Sequence, residues 1–317
     1  MNKFKKTNNL LSIIFSSLFI FGIYKIVNDF TQIVDNISQI TFPILLLSTL
    51  IYFLSVILRY LRWKIIYLQL FNNYKFNMIN ETIIGYMANN LLPFRIGELY
   101  RVNRIVKSEN NSYIRVLSTI FTERLFDVGA LVLLMIFALP FIEKFDFKLF
   151  QIQYSALLIL GLPCLFFITV YFLRKLSIFE KIIKKLLTLF NDLLSFFYES
   201  KSLNKYLIVI LLSIFIWIIE SLVYFIIADY FIIDMSNEYL FTIILIVCSI
   251  TNLSGIIPSL PGNLGNFEFF GTLAFLAMGV SSSIGATVII IVHLVLFIPI
   301  SILGFIILSM QKIALKK

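Results

Sequence analysis

One histidine and two cysteines in 317 residues leave almost nothing from which to build a His/Cys metal cluster or a catalytic Cys–His pair. Both cysteines, Cys164 and Cys248, stand inside apolar runs, so a disulfide framework is not expected. Charge is scarce as well: Asp, Glu, Lys and Arg make up 14% of the chain, where a soluble domain carries about 25%. That deficit excludes a water-soluble globular protein. Apolar residues fill 60% of the chain, 34 of them Phe, and mean hydropathy is +0.97. No cofactor and no metal are expected, although a site made of carboxylates alone stays open.

Several apolar runs reach the roughly 18 to 25 residues needed to cross a hydrocarbon core about 30 Å thick. The pattern predicts an all-α polytopic membrane protein of about eight spanning helices, near residues 10–27, 40–61, 116–140, 153–173, 206–228, 240–257, 264–279 and 284–310. A cleavable signal is the rival reading of the first run, but no small-residue cleavage site follows it. Residues 1–173 form a first half and 206–317 a second within one membrane domain, joined by a cytoplasmic connection over 174–205.

The formal charge of +9 is accounted for by orientation rather than by nucleic acid. With Lys3, Lys5 and Lys6 inside, only Lys25, Lys144 and Lys148 among the 26 basic residues fall outside, and the C-terminus returns inside. Residues 77–92 break the parity, because Arg59, Arg62, Lys64 and Lys75 precede them and Arg95, Arg101, Arg104 and Lys107 follow. A crossing there would export one basic cluster, so a re-entrant segment is favoured over a span. In 174–205, Phe179, Ile182, Ile183, Leu186, Leu187 and Phe190 recur at helical spacing beside Lys181, Lys184 and Lys185. Such a helix either lies on an anionic cytoplasmic leaflet or packs on the bundle.

Two polar interruptions occupy comparable places in the halves, which hints at a weak internal repeat. The first runs from Asn89 through Pro93, Arg95, Gly97 and Glu98 to Arg101 and Arg104; the second from Pro258 through Pro261, Gly262, Asn263 and Gly265 to Glu268. Broken helices of this kind free backbone groups that bind polar cargo at membrane depth; ordinary helix-breaking turns are the plainer reading. Arg95, Arg101 and Arg104 suit a phosphate or else serve as topology-setting charge, and Glu98 among them favours a structured network over a simple basic patch. Glu123, Arg124 and Asp127 open a spanning helix, where charge is costly unless paired or wet. Glu220 and Glu268 are intramembrane carboxylates that either titrate and couple transport to protons or pair with an arginine from the other half; His293 reads as a helix-to-helix hydrogen-bonding residue.

Pro93-x-Arg95-x-Gly97-Glu98-x-x-Arg101, Glu123-Arg124-x-x-Asp127 and Pro261-Gly262-x-x-Gly265-x-x-Glu268 together resemble the membrane region of bacterial lysyl-phosphatidylglycerol synthases and the wider flippase-like family of stand-alone membrane proteins. The resemblance implies a two-part helical domain that moves a phospholipid between leaflets of a bacterial or archaeal cytoplasmic membrane. The synthases add a soluble aminoacyl-transfer domain after this region, whereas this chain ends at Lys317, so it is not expected to make the aminoacyl lipid itself. Asn263 stands where a glycine is common in the motif, and Asn tolerates the left-handed turn.

Three functions follow. The first is a translocase binding a phospholipid or polyprenyl-phosphate lipid through Arg95, Glu98, Arg101, Arg104, Glu123, Arg124, Asp127, Pro261, Gly262, Asn263, Gly265 and Glu268, with Glu220 or Glu268 as proton-coupling residues. The second is a transferase using a polyprenyl-linked sugar donor, with Asp29 and Asp35 supplying carboxylates. The third is a non-catalytic partner of a lipid-modifying enzyme, docking through 174–205.

The charge map predicts that, in a background lacking Cys164 and Cys248, Ser38→Cys reacts with a membrane-impermeant maleimide in intact cells and Ser108→Cys only after permeabilisation. The reverse pattern would invert the topology.

Overall fold

A computed structural model describes residues 16–27, 29–92, 96–142, 191, 203–257 and 259–314. Arg95 with Pro93, the expected span over 153–173, Pro258, and 174–205 apart from 191 and 203–205 lie outside the described residues. Every regular element among those described is helical: α1 (Ser16–Ile26), α2 (Phe30–Gln39), α3 (Phe42–Leu70), α4 (Met78–Leu91), α5 (Gly97–Glu109), α6 (Tyr113–Ala138), α7 (Leu203–Phe231), α8 (Asn237–Leu253), α9 (Asn266–Ala277) and α10 (Ser282–Ala314), with short 3-10 turns at Leu139–Phe141, Ser254–Ile256 and Pro261–Asn263.

Among the described residues, five helices are long and apolar enough to cross a membrane: α3, α6, α7, α8 and α10, some with a flanking turn. Their faces are those of helices in lipid. On α3, Leu46, Leu47, Leu50, Leu54, Ile57 and Leu61 are exposed, while Ser48, Ser55, Arg59 and Arg62 are buried. In water such a pattern would expose the wrong face; in a bilayer the polar groups turn inward and find partners there. The protein is integral to a membrane.

The apolar run over 264–279 is the exception. It folds as α9, 12 residues or about 18 Å at 1.5 Å per residue, short of the roughly 30 Å core. Gly265 at φ 91° and Gly279 at φ 84° bound it, and backbone in that region is left to glycine by steric hindrance.

Residues 77–92 also stop short of a span. α4 and α5, 14 and 13 residues, form an antiparallel hairpin with arms of about 20 Å. Its pairing runs from Gly97 beside Ala88 and Asn89, through Arg101 beside Gly85, to Arg104 on Glu81, and Lys75 N–H donates to Glu109 Oε1 at 2.6 Å. A cluster of Trp63, Tyr67, Met78, Val102, Ile105, Val116 and Ile120 packs the hairpin's open end against α3 and α6. The main core lies between α3, α6, α7, α8, α9 and α10.

A Cβ on Gly97 would meet the Asn89 backbone nitrogen at 2.2 Å and the Ala88 carbonyl carbon at 2.6 Å. Backbone cannot step aside, so Gly97→Ala should open the hairpin and destabilise by about 1 to 3 kcal/mol or more. Gly129→Ala, with open space around it, should be neutral or stabilising. Thermal unfolding of the two variants in detergent makes the comparison.

Candidate head-group site

Helical spacing converts scattered charges into facing stripes. Arg59 and Arg62 are one turn apart on α3; Glu123, Arg124 and Asp127 share α6; Glu98, Arg101 and Arg104 follow each other on α5; Ser213, Trp217 and Glu220 line one side of α7. The stripes meet as a chain of ion pairs. Arg59 Nη1 contacts Glu220 Oε2 at 2.6 Å and donates to Ser55 Oγ at 2.8 Å. Arg62 Nη1 donates to Asp127 Oδ1 at 2.7 Å and to Ser213 Oγ at 2.8 Å. Trp217 Nε1 donates to the same Asp127 oxygen at 3.0 Å. Asp127 therefore ties α3, α6 and α7 together.

The hairpin is held by the same chemistry. Arg101 donates to Glu123 Oε2 at 3.1 Å, and its guanidinium lies 3.5 Å from the centroid of the Trp63 ring, a desolvated cation–π contact. Arg104 grips Glu81 with two hydrogen bonds of 2.6 and 2.8 Å. Arg124 stands 3.0 Å from Glu98 and 3.1 Å from Asp127. Within this network the arginines Arg59, Arg62, Arg101, Arg104 and Arg124 are matched in number by Glu81, Glu98, Glu123, Asp127 and Glu220.

This pairing reassigns several residues. Arg59 and Arg62, counted from sequence as topology-setting charge, are 4% and 0% exposed and belong inside. Of the two readings of Glu220, the pair with an arginine of the other half is the one found. Glu123, Arg124 and Asp127 form the network that their cost in lipid demands. Arg101, Arg104 and Glu123 are committed to one another and to Glu81, and they stand behind the cavity rather than on its wall.

The cavity measures about 400 Å³ and opens where the two interrupted segments meet. Asn90 Nδ2 donates to the Phe297 carbonyl at 3.1 Å and to Ser301 Oγ at 2.8 Å, joining the end of α4 to α10. The Asn90 carbonyl oxygen lies 3.3 Å from where a Gly262 Cβ would stand. Gly262 at φ 70° and Asn263 at φ 62° make the left-handed turn that brings the second segment this close. Ser16 Oγ of α1 clamps its far side, donating to the Leu264 carbonyl at 2.9 Å and accepting from Leu260 N–H at 2.8 Å. Gly265 N–H donates to Glu268 Oε2 at 2.7 Å, capping α9. Among the sequence candidates, Glu98, Arg124, Asp127, Glu220, Gly262 and Asn263 reach the wall, while Pro261, Gly265 and Glu268 shape it from behind.

Sequence reasoning missed Arg59, Tyr86 and Trp217 as wall residues, and His293 makes the helix-to-helix hydrogen bond expected of it. Tyr86 Oη and Asn89 Oδ1 are buried at the wall without a hydrogen-bond partner, while Glu98 Oε1 and Arg124 Nε are buried there as an ion pair. Buried polar atoms rarely stay unpaired, so the wall is built for polar contents.

Asp29 serves α2 instead: its Oδ1 accepts from Thr31 Oγ1, Thr31 N–H and Gln32 N–H, and these bonds, the Thr31 hydroxyl first, hold its carboxyl below the ordinary range. Among the described residues, no group of three or more His, Cys, Asp or Glu side chains is placed to hold a metal ion.

The family model described as the lysylphosphatidylglycerol synthase TM region matches residues 9–304. Among curated relatives, one UPF0104 membrane protein of Methanocaldococcus jannaschii is 30% identical over 57% of this chain and 75% of its own length. A second from that organism is 24% identical over 96% of both chains. A UPF0104 membrane protein of Pyrococcus horikoshii is 25% identical over 85% of this chain and 88% of its own. No solved structure gives a match.

Removing one partner of a buried pair strands the other. Glu220→Ala should cost about 3 to 5 kcal/mol, whereas Arg59→Met/Glu220→Met, which removes both charges, should return stability to near that of the unaltered protein or above it. Thermal unfolding of the single and double variants gives the comparison directly.

Proposed function

The chain belongs to the lysylphosphatidylglycerol synthase transmembrane-region family, and from that membership we propose that it moves an anionic lipid or lipid-linked sugar between leaflets, seating the head group in the cavity between the two broken segments. The observation that carries this reading is the pair of buried, unpartnered polar atoms, Tyr86 Oη and Asn89 Oδ1, beside the buried Glu98–Arg124 ion pair at that cavity. A volume of about 400 Å³ falls within the roughly 300 to 1,000 Å³ of small-molecule sites, room for a head group whose acyl or prenyl chains stay in lipid.

Among the described residues Arg59 and Arg124 are the arginines on the wall, and they replace Arg101 and Arg104 as the groups that meet a phosphate. Each is already paired, so an incoming anion exchanges partners with a carboxylate instead of entering an empty basic pocket. That exchange keeps the resting site neutral and lets charge move without a bare ion in hydrocarbon. In this reading α4 and α5 re-enter from one side, both termini are cytoplasmic, and the membrane is an archaeal or bacterial cytoplasmic one; the inward bias of Lys and Arg and the archaeal relatives support it.

In proteoliposomes carrying NBD-labelled phosphatidylglycerol or a labelled polyprenyl phosphate, the protein should accelerate leaflet exchange. Arg59→Met/Glu220→Met, which keeps the fold, should slow exchange of the accepted lipid about 10- to 100-fold, the worth of a lost charge-assisted hydrogen bond. No acceleration for any anionic lipid would end the translocase reading.

A further inference from the structure

The chain's one histidine stands at the cavity wall with both ring nitrogens occupied. Nε2 lies 2.8 Å from the Gly262 carbonyl oxygen, and a carbonyl only accepts, so Nε2 carries a hydrogen. Nδ1 meets Glu268 Oε1. Two lone pairs cannot face one another in contact, so a second proton lies between His293 and Glu268, whichever atom holds it. Glu268 Oε2 is taken by Gly265 N–H at 2.7 Å. Phe267 stacks on the imidazole at 4.4 Å and Phe297 meets it edge-on at 6.0 Å, which fixes the ring between its two partners.

With the shared proton the pair is neutral overall; without it the pair carries one negative charge beside the cavity. The other ionisable groups facing this space are Tyr52 and Arg59 of α3, Tyr86 of α4, Glu98 of α5, Arg124 and Asp127 of α6 and Glu220 of α7. The arginines among them are engaged by Glu220, Glu98 and Asp127 and offer the bare pair no cation. Loss of the proton leaves the imidazole one N–H for two acceptors, Glu268 and the Gly262 carbonyl, so one of the two contacts must open.

We propose that His293 and Glu268 bind the coupling proton of this protein, so that an anionic head group in the cavity and a proton on this pair load together, and His293 bridges Glu268 and the Gly262 carbonyl of the second broken segment only while the proton is bound. The inference rests on the translocase reading for its cargo, but the proton site stands on its own geometry. An anion in the cavity raises the pair's hold on the proton, and by linkage the proton raises the cavity's hold on the anion. The proton enters from water on the loading side onto Nδ1 or Oε1 and leaves to water on the other; no other bond is made or broken.

A single histidine makes the site directly visible. In full-length protein labelled with 15N-histidine in phosphatidylcholine vesicles, the imidazole should show Nε2 bonded to hydrogen and Nδ1 bearing or sharing a proton at neutral pH. Raising the pH should convert it to the neutral form with one bare nitrogen, and Glu268→Gln, whose amide can donate to Nδ1, should give a bare Nδ1 already at neutral pH. A bare Nε2 at neutral pH, or an Nδ1 signal unaltered by Glu268→Gln and by pH, overturns the site.

In phosphatidylcholine proteoliposomes, acidifying the loading side should speed movement of NBD-phosphatidylglycerol, by up to about tenfold per pH unit for one proton per lipid, and leave NBD-phosphatidylcholine unchanged. His293→Gln and Glu268→Gln should bring that ratio to one. Exchange of the anionic lipid with no response to the gradient overturns the coupling and leaves the translocase reading intact. No exchange under any gradient, with the shared proton present in the spectrum, overturns the translocase reading and the coupling while the proton site stands.

Discussion

A charge buried in a bilayer-spanning protein must be neutralised by a partner within a few ångströms, and the arrangement of this molecule follows from that requirement. Asp127 collects Arg62, Arg124 and the Trp217 indole, and so sets how α3, α6 and α7 face one another. Glu220 does the same for Arg59 across the two halves. Apolar contact alone would not specify these registers, because lipid is as apolar as a leucine-rich helix face. The ion pairs supply direction where the hydrophobic effect supplies none.

The pairs also position the interrupted segments. The α4–α5 hairpin cannot hold itself at depth by length, with arms of 14 and 13 residues; Arg101 on Glu123 and Glu98 on Arg124 moor it to α6. The second segment is moored differently, by Ser16, Asn266 and the Glu268–His293 contact. One side of the cavity is thus fixed by ion pairs, and the other by neutral hydrogen bonds together with the Glu268–His293 contact. This asymmetry identifies the second segment as the side able to respond.

The spanning helices were legible in sequence because Leu, Ile and Phe runs of sufficient length have few alternatives; α3, α6, α7, α8 and α10 fall within a few residues of the expected spans, except that α3 continues to Leu70. That extension is why Arg62 was read as a flank, while Arg59 already lay at the end of the expected run: an arginine near the end of an apolar run looks like a cytoplasmic flank, and nothing local reveals Glu220 or Asp127 waiting on other helices. The run over 264–279 misled for the opposite reason, since its composition matches a span and only Gly265 and Gly279 mark it as a short helix. The Pro/Gly/Glu pattern did point to the two broken segments, and the left-handed turn expected to tolerate Asn263 is present at φ 62°. The helix-to-helix hydrogen bond expected of His293 is present, and its partner is Glu268, in the broken motif one helix earlier.

The claim on which the rest depends is that the cavity holds a lipid head group by Arg59 and Arg124. Native mass spectrometry of the gently purified protein, with the co-purifying lipid identified, tests it most directly. The account predicts an anionic lipid enriched over the bulk membrane and lost in Arg124→Gln/Glu98→Gln, which leaves the wall without that cation, while Gly129→Ala keeps it. Equal retention in all three proteins, or no enrichment in any, would mean that the buried charges serve only to hold the helices together.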